Sequence, residues 1–374
     1  PLVYGVLGLA LFAAAYSLYG GLSAVAWTEV IQVVFLVLGG LATTYLALDQ
    51  ESGGQGLIEG LKVIYDRVPE KFVMILDDSN PEYVNLPGIG VLVGGMWVAN
   101  LYYWGFNQYI IQRTLAAKSL KESQKGILMA ALLKLVIPLI VVIPGIAAFV
   151  MVNDPEIMAS LGDLAKNNIP TLEAADKAYP WLLQFLPAGF KGIAFAALAA
   201  AIVSSLASML NSTSTIFTMD IYKPYINPEA TNKQTVRTGR VTAAVALLIA
   251  VLIAPMLGGL DQAFQYIQEY TGVVSPGILA VFMLGLFWKK TTNKGAIYGV
   301  LASIPIALYF KVAPKGWSDH PLFVDVPFLD QMGYTALLTM IIIAVVSWFD
   351  GKGEDSDKGI DLDAEMFKTS NQFN

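Results

Sequence analysis

An all-α, multi-spanning membrane fold is what the sequence predicts, and three observations predict it. Hydrophobic residues make up 56% of the 374 and charged ones only 14%, with a mean hydropathy of +0.59, a balance too apolar for a water-soluble globule. The apolar residues collect in nine runs, each near the ~20 residues that a bilayer core asks of a helix. The charges that remain gather in the connections, mostly basic in one set and mostly acidic in the alternate set.

The runs lie at approximately 1–18, 22–48, 89–112, 126–152, 191–219, 238–257, 264–288, 295–312 and 332–349. Residue pairs that favour turns separate them: Gly20-Gly21, Gly53-Gly54, Asn80-Pro81, Asn153-Asp154-Pro155, Asn227-Pro228 and Gly258-Gly259. The longest connections are 49–88 and 153–190. Within the first, 55–68 reads as an amphipathic helix with Leu57, Ile58, Leu61, Ile64, Tyr65 and Val68 on one side. No soluble domain separates from the rest. The chain has no cysteine, and its one histidine, His320, sits among Lys315, Asp319 and Pro321 in a polar connection. Disulfides and thiol chemistry are excluded, and a histidine-based metal site or catalytic triad has nothing to build on. Pro1 opens inside an apolar span without a basic leader, so the chain is expected to be part of a longer protein with further spans upstream.

Basic residues stay on the cytoplasmic side of a membrane. The connections 113–125, 220–240 and 289–294 hold eleven Lys/Arg against three acids, whereas 49–88, 153–191, 258–262 and 311–331 hold eight against seventeen. The first set is therefore placed inside the cell, with the turn at Gly20 and the acidic tail 350–374. The sequence pI of about 4.9 reflects the outer connections and the tail, and points to no nucleic acid. Once these charges are assigned, Glu29, Lys134 and Glu269 remain inside spans. A charge at depth costs ~3 kcal/mol on insertion scales and marks a functional candidate. Lys134 lies about 12 Å along its helix from Gly126. Snorkelling or a structural ion pair is the plainer account of it, and wetting near the surface the plainer account of Glu269.

The stretch Ile193 to Tyr222, IAFAALAAAIVSSLASMLNSTSTIFTMDIY, begins apolar and turns into a ladder of hydroxyls. On a helix, Ala201, Ser204, Ser205 and Ser208 fall at i, i+3, i+4 and i+7, and Asn211, Ser212 and Thr215 continue the stripe. One reading is close helix packing through small residues with hydrogen bonds across the contact. The other is a site for a hard monovalent cation, which takes several hydroxyl and carbonyl oxygens. Two further spans carry polar groups with aromatics. In 89–112, Asn100, Tyr103, Trp104, Asn107 and Ile111 fall on one face at helical spacing, and Gly94-Gly95 and Gly105 allow bending. In 264–288, Gln265, Gln268 and Glu269 precede Pro276-Gly277, where a helix distorts. Amide groups beside aromatic faces suit a sugar, although aromatics in spans also serve as packing and interfacial residues.

These motifs together resemble the sodium/solute symporter family. The resemblance is carried by AALAAAIVSSLASMLNSTSTIFTMDIY, by the turn GGLSA at 20–24, by WVANLYYWGFNQYIIQRTLAAK, by FQYIQEYTG, and by GLFWKKTTNKGAI, with Ser303 where that signature has glycine. It covers nearly the whole chain and is closest to the sugar-carrying bacterial members. It implies the leucine-transporter-like five-helix inverted-repeat fold, incomplete at the N-terminus. Residues 1–48 would hold the last two helices of the first repeat, 49–88 an extracytoplasmic connection, 89–288 the second repeat, 289–349 two accessory helices and 350–374 the cytoplasmic tail.

The resemblance implies roles position by position. Asn100 and Lys134 would bind sugar hydroxyls and Gln268 would add a further polar contact. Tyr103 would stack on the sugar as inner gate with Trp104 beside it, and Phe264 would form part of the outer gate. The carbonyl of Ala201 and the hydroxyls of Ser204 and Ser205 would bind sodium, and Glu29, where the family has aspartate, would lie on the sodium exit path. The implied activity is sodium-coupled uptake of a monosaccharide across the inner membrane, with sodium as a co-transported ligand, no cofactor and no covalent chemistry. Another solute, such as inositol, an amino acid or a carboxylate, stays open, as does a transport-derived sensor. Because sodium needs about five oxygens and one helix offers three, residues 1–374 alone are expected not to transport.

Overall fold

The computed structural model describes residues 2–80, 83, 88–161, 163–257, 263–316 and 327–351, and every regular element among them is helical. His320, the turn 258–262 and the tail beyond Gly351 lie outside the described residues. Two compact units form: Pro1–Phe72 with Gln112–Ala263, and Val73–Ile111 with Phe264–Asn374.

In the first unit, α1 runs unbroken from Leu2 to Glu51. The turn expected at Gly20-Gly21 is absent. Glycine lowers helix propensity by only ~1 kcal/mol and removes no hydrogen bond, and no proline interrupts these fifty residues. The rod is about 75 Å long, more than twice the bilayer core of about 30 Å. Its Val25–Glu51 part qualifies as a span, and Val3–Ala15 is a shorter apolar stretch. Glycines let the span meet its neighbours closely. A Cβ on Gly39 would touch Ala194 at 3.5 Å, and one on Gly40 would stand 2.8 Å from Ile140. Thr44 reinforces the second contact by donating to the Leu139 carbonyl at 2.8 Å.

After the turn at Gly53-Gly54, α2 (Leu57–Arg67) folds back onto the end of α1. Ile64 is fully buried, while Leu57, Ile58, Leu61 and Tyr65 of the same expected apolar side are exposed. The third expected span is not one helix: α3 (Ile89–Val93) and α4 (Gly95–Leu101) flank a break at Gly94. A π-helical turn, Tyr102–Phe106, follows, and Asn107 is extended before α5 (Gln108–Leu115). Helix α6 (Leu120–Lys134) stops short of Pro138, whose missing N–H would have bonded the Lys134 carbonyl. Helix α7 (Ile137–Asn153) completes that span. Asp154 caps the short α8 (Pro155–Ser160), accepting from Glu156 and Ile157 N–H groups. The Ile157 N–H chiefly, with Arg67 beside it, holds the Asp154 carboxyl below its ordinary range. Then come α9 (Ala178–Leu182), with Trp181 wholly buried, and α10 (Ala188–Ile216), which continues as a π-helical segment to Ile226. Thr231 and Gln234 form a capping box at the start of α11 (Asn232–Ile253).

In the second unit, α12 (Ala263–Phe287), α13 (Asn293–Gly316) and α14 (Phe328–Asp350) pack with α3 and α4. Val91, Val98, Leu279, Leu329, Met332 and Ala336 form their shared core. Gly95 lies directly on the Leu329 carbonyl, where a Cβ would come to 1.6 Å. Only backbone fits there. Among the described residues, seven helices are long and apolar enough to cross a membrane, fewer than the nine expected, because the first run joins the second and the third is in pieces.

A candidate cation site on α10 and the groups expected to face a solute

The hydroxyl stripe of α10 meets α1 and α5 inside the first unit. Ser204 is buried and its hydroxyl donates to Glu29 Oε1 at 2.6 Å. Ser208, fully buried, lies one turn on and its hydroxyl stands 3.3 Å from the same oxygen. Arg113 closes the group from α5: its Nε donates to Glu29 Oε2 at 2.7 Å, and its terminal nitrogen reaches both Glu29 Oε1 and the Ser208 hydroxyl. The neighbouring Gln112 amide donates to the Ser208 carbonyl at 3.2 Å. The cluster is thus charge-balanced, with one carboxylate, one guanidinium and two hydroxyls.

Ser205 stands apart from this network. It is exposed and its hydroxyl has no hydrogen bond among the described residues. Ala201 is half-buried in the uninterrupted part of α10, where its carbonyl already accepts from the i+4 amide and offers a cation only its second lone pair. Ser204 keeps both lone pairs while it donates its proton to Glu29. A hydroxyl that donates to a carboxylate also gains negative charge on its oxygen.

Reading the sequence missed Arg113, which was counted with the cytoplasmic connection 113–125. Its signal was available in the question of what neutralises Glu29 at depth. The other acid in a span, Glu269, is also paired: Lys311 Nζ lies 3.3 Å from its Oε2. Lys311, counted with the connection 311–331, belongs to α13.

Of the residues expected to face a solute, Lys134 is in the first unit and Asn100, Tyr103, Trp104, Gln268 and Phe264 are in the second. Lys134 is the last residue of α6 and its side chain is exposed. Asn100 is half-buried near the end of α4 and its amide donates back to the Met96 carbonyl at 2.9 Å, which leaves its carbonyl oxygen to other partners. Tyr103 packs edge-on against Trp104, ring centroids 5.2 Å apart, and against Tyr109 at 6.3 Å. The π-helical turn and the extended Asn107 break the helical register here, so Asn100, Tyr103, Trp104, Asn107 and Ile111 do not share one continuous α-helical face as expected. Gln268 is half-buried on α12. Phe264 is in the first turn of that helix, and its side chain lies outside the described residues.

Comparison with known proteins fits this architecture. The description "Sodium:solute symporter family" matches residues 1–303. The sodium/glucose cotransporter of Vibrio parahaemolyticus is 64% identical over 374 residues, 100% of this chain and 67% of that protein. The human sodium/myo-inositol cotransporter 2 is 33% identical over 372 residues, 93% of this chain and 54% of the relative. The chain thus spans between about half and two thirds of the length of these relatives. A solved structure of a Na+-coupled sialic acid symporter, substrate-bound and outward-open, superposes with a TM-score of 0.72 at 22% identity, covering 93% of this chain and 67% of that one. The leucine-transporter-like fold expected from sequence is therefore present, the protein is multi-pass, and the family is one of transporters and not of enzymes. The family match over residues 1–303 and the 64% identical relative show that the chain belongs to the sodium:solute symporter family.

Proposed function

We propose that the protein of which this chain forms part carries a sugar into the cell together with sodium, by alternating access. The observation that carries the reading is the 64% identity to a sodium/glucose cotransporter across every residue of the chain. Sodium is bound by the hydroxyls of Ser204 and Ser205 and the carbonyl of Ala201, with the remaining oxygens from elsewhere in the protein. Asn100, Gln268 and Lys134 donate to or accept from sugar hydroxyls, and the ring of Tyr103, steadied by Trp104, covers the sugar's C–H face. Phe264 gates the opposite side, and Glu29 lies on the route by which sodium leaves.

Sodium binding on α10 favours the state that admits sugar, and its loss to the cytoplasm releases both ligands. This is linkage between two sites through one conformational equilibrium. Each sodium moved inward across 100 mV supplies ~2.3 kcal/mol toward sugar accumulation. The test is uptake of labelled glucose and galactose by the full-length protein in vesicles, with and without an inward sodium gradient. Accumulation above equilibrium only with the gradient is expected. Equal uptake without sodium overturns the proposal, and accumulation of myo-inositol in place of hexose favours the second reading, supported by the inositol-carrying relative.

A further inference from the structure

Lys311 is a charge inside a span that the proposed mechanism does not use. Its side chain is only 18% exposed, and its ammonium nitrogen is wholly buried without a hydrogen bond among the described residues. Two groups compensate it. The Glu269 carboxylate stands 3.3 Å away, and the face of Tyr270 lies beneath it, 3.7 Å from nitrogen to ring centroid. Tyr270 is itself backed by Tyr266, ring centroids 4.4 Å apart. With the ammonium nitrogen buried and the Glu269 side chain 33% exposed, the two contacts are screened only in part.

The two partners are consecutive residues of α12, and they directly follow Gln268. Consecutive side chains on a helix are separated by about 100° of rotation and 1.5 Å of rise. A single cation that grips residues 269 and 270 therefore fixes both the rotation and the height of the helix at that level. The direction of residue 268 follows. The N-terminal half of α12 needs such a grip because Pro276, buried in the helix interior, removes the hydrogen bond to the Gly272 carbonyl. Past the proline, α12 is held by close packing: a Cβ on Gly277 would reach 2.0 Å from the Ser303 hydroxyl of α13, and Leu279 sits in the shared core. Ahead of it, side chains must set the orientation.

We propose that Lys311 is a positioning residue for the solute contact at Gln268, acting from α13 through Glu269 and Tyr270. The inference rests on the reading of Gln268 as a sugar contact given above. Lys311 does not itself touch the sugar. It decides where the Gln268 amide points.

The experiment uses the full-length protein in proteoliposomes and initial rates of sodium-driven uptake of labelled galactose, with sugar and sodium varied separately. Lys311→Met keeps the packed stem and deletes the charge. It should raise the apparent sugar constant about tenfold, the scale of one hydrogen bond to a polar ligand, with the apparent sodium constant and maximal rate within about twofold of the unmodified protein. Lys311→Arg keeps a cation over the ring and should restore most of the loss. In a Gln268→Ala background, Lys311→Met should add no further rise, because the contact it serves is already gone. Full additivity of the two changes, or an unchanged sugar constant in Lys311→Met, overturns the inference. If Lys311→Met does not reach the membrane, the charge-free pair Glu269→Gln/Lys311→Met stands in, with the same expected and overturning results. Unmodified protein that accumulates no sugar overturns the functional reading as well; normal uptake with a neutral Lys311→Met overturns this inference alone.

Discussion

Glu29 and Arg113, 84 positions apart in sequence, meet as a two-pronged ion pair, with Arg113 Nε 2.7 Å from Glu29 Oε2 and its terminal nitrogen on Oε1. The side chains are 22% and 28% exposed, so water screens the pair only in part. The Ser204 hydroxyl donates to the same carboxylate. A group expected to bind sodium is thus one hydrogen bond away from a neutralised acid.

Removing one member of this pair should therefore cost more than removing both. Arg113→Met strands a carboxylate among serines, a loss of roughly 1–3 kcal/mol after discounting a fully buried pair for its partial exposure. Glu29→Gln/Arg113→Met leaves no charge to strand and should regain most of that. Thermal unfolding of the purified full-length protein in detergent checks this, and a double variant no more stable than Arg113→Met would show that the pair contributes nothing by its charge.

Ser204 and Ser205 are adjacent yet should fail differently. Ser205 is exposed and makes no hydrogen bond within the described residues, so Ser205→Ala should leave stability within about 0.5 kcal/mol while weakening sodium-driven uptake. Ser204→Ala removes both an expected sodium oxygen and the donor to Glu29, and should lower stability as well as sodium dependence. Melting curves and sodium titrations of uptake on the two variants separate the effects. Unchanged sodium dependence in Ser205→Ala would sink its assignment as a ligand.

What the residues revealed in advance was pattern, and what they concealed was pairing. The small-residue and hydroxyl stripe of α10, the break permitted by Gly94-Gly95 and the turn at Gly53-Gly54 follow from local chemistry and are seen in the fold. Gly20-Gly21 misled because a glycine pair only weakens a helix and the neighbours decide the outcome. Arg113 and Lys311 stand at the ends of apolar runs, where hydropathy alone does not separate the last turn of a helix from the connection that follows. Both are good helix formers, and each is held at depth by an acid distant in sequence. The π-helical turn at Tyr102–Phe106 leaves no mark in residue spacing, since one wide turn shifts the register of everything after it. The roles proposed for Asn100 and Gln268 have no local signal beyond polarity in an apolar span.

Tyr103 offers a ring and a hydroxyl, and the ring packs edge-on to Trp104 and Tyr109. Tyr103→Phe preserves those contacts and the stacking face. It should lower uptake less than Tyr103→Ala, which opens a gap beside Trp104. Initial rates of sugar uptake on the two variants decide the point, and equal loss in both would assign the function to the hydroxyl.

Lys134 ends α6 four residues before Pro138, which cannot continue the helical hydrogen-bond ladder. The position carries an ammonium donor, which suits the hydroxyls of a sugar. Because the side chain is exposed, its packing contributes little, and Lys134→Ala should fold and insert as the unmodified protein does. If the ammonium donates to the sugar, its loss should cost ~1.5–3 kcal/mol, a rise of roughly ten to a hundredfold in the apparent sugar constant. The apparent sodium constant should change far less, since the hydroxyls of α10 are untouched. Titrating sugar and sodium separately in uptake assays gives both numbers. A variant that fails to insert, or one whose sugar constant is unchanged, would show that Lys134 serves the helix end and not the solute.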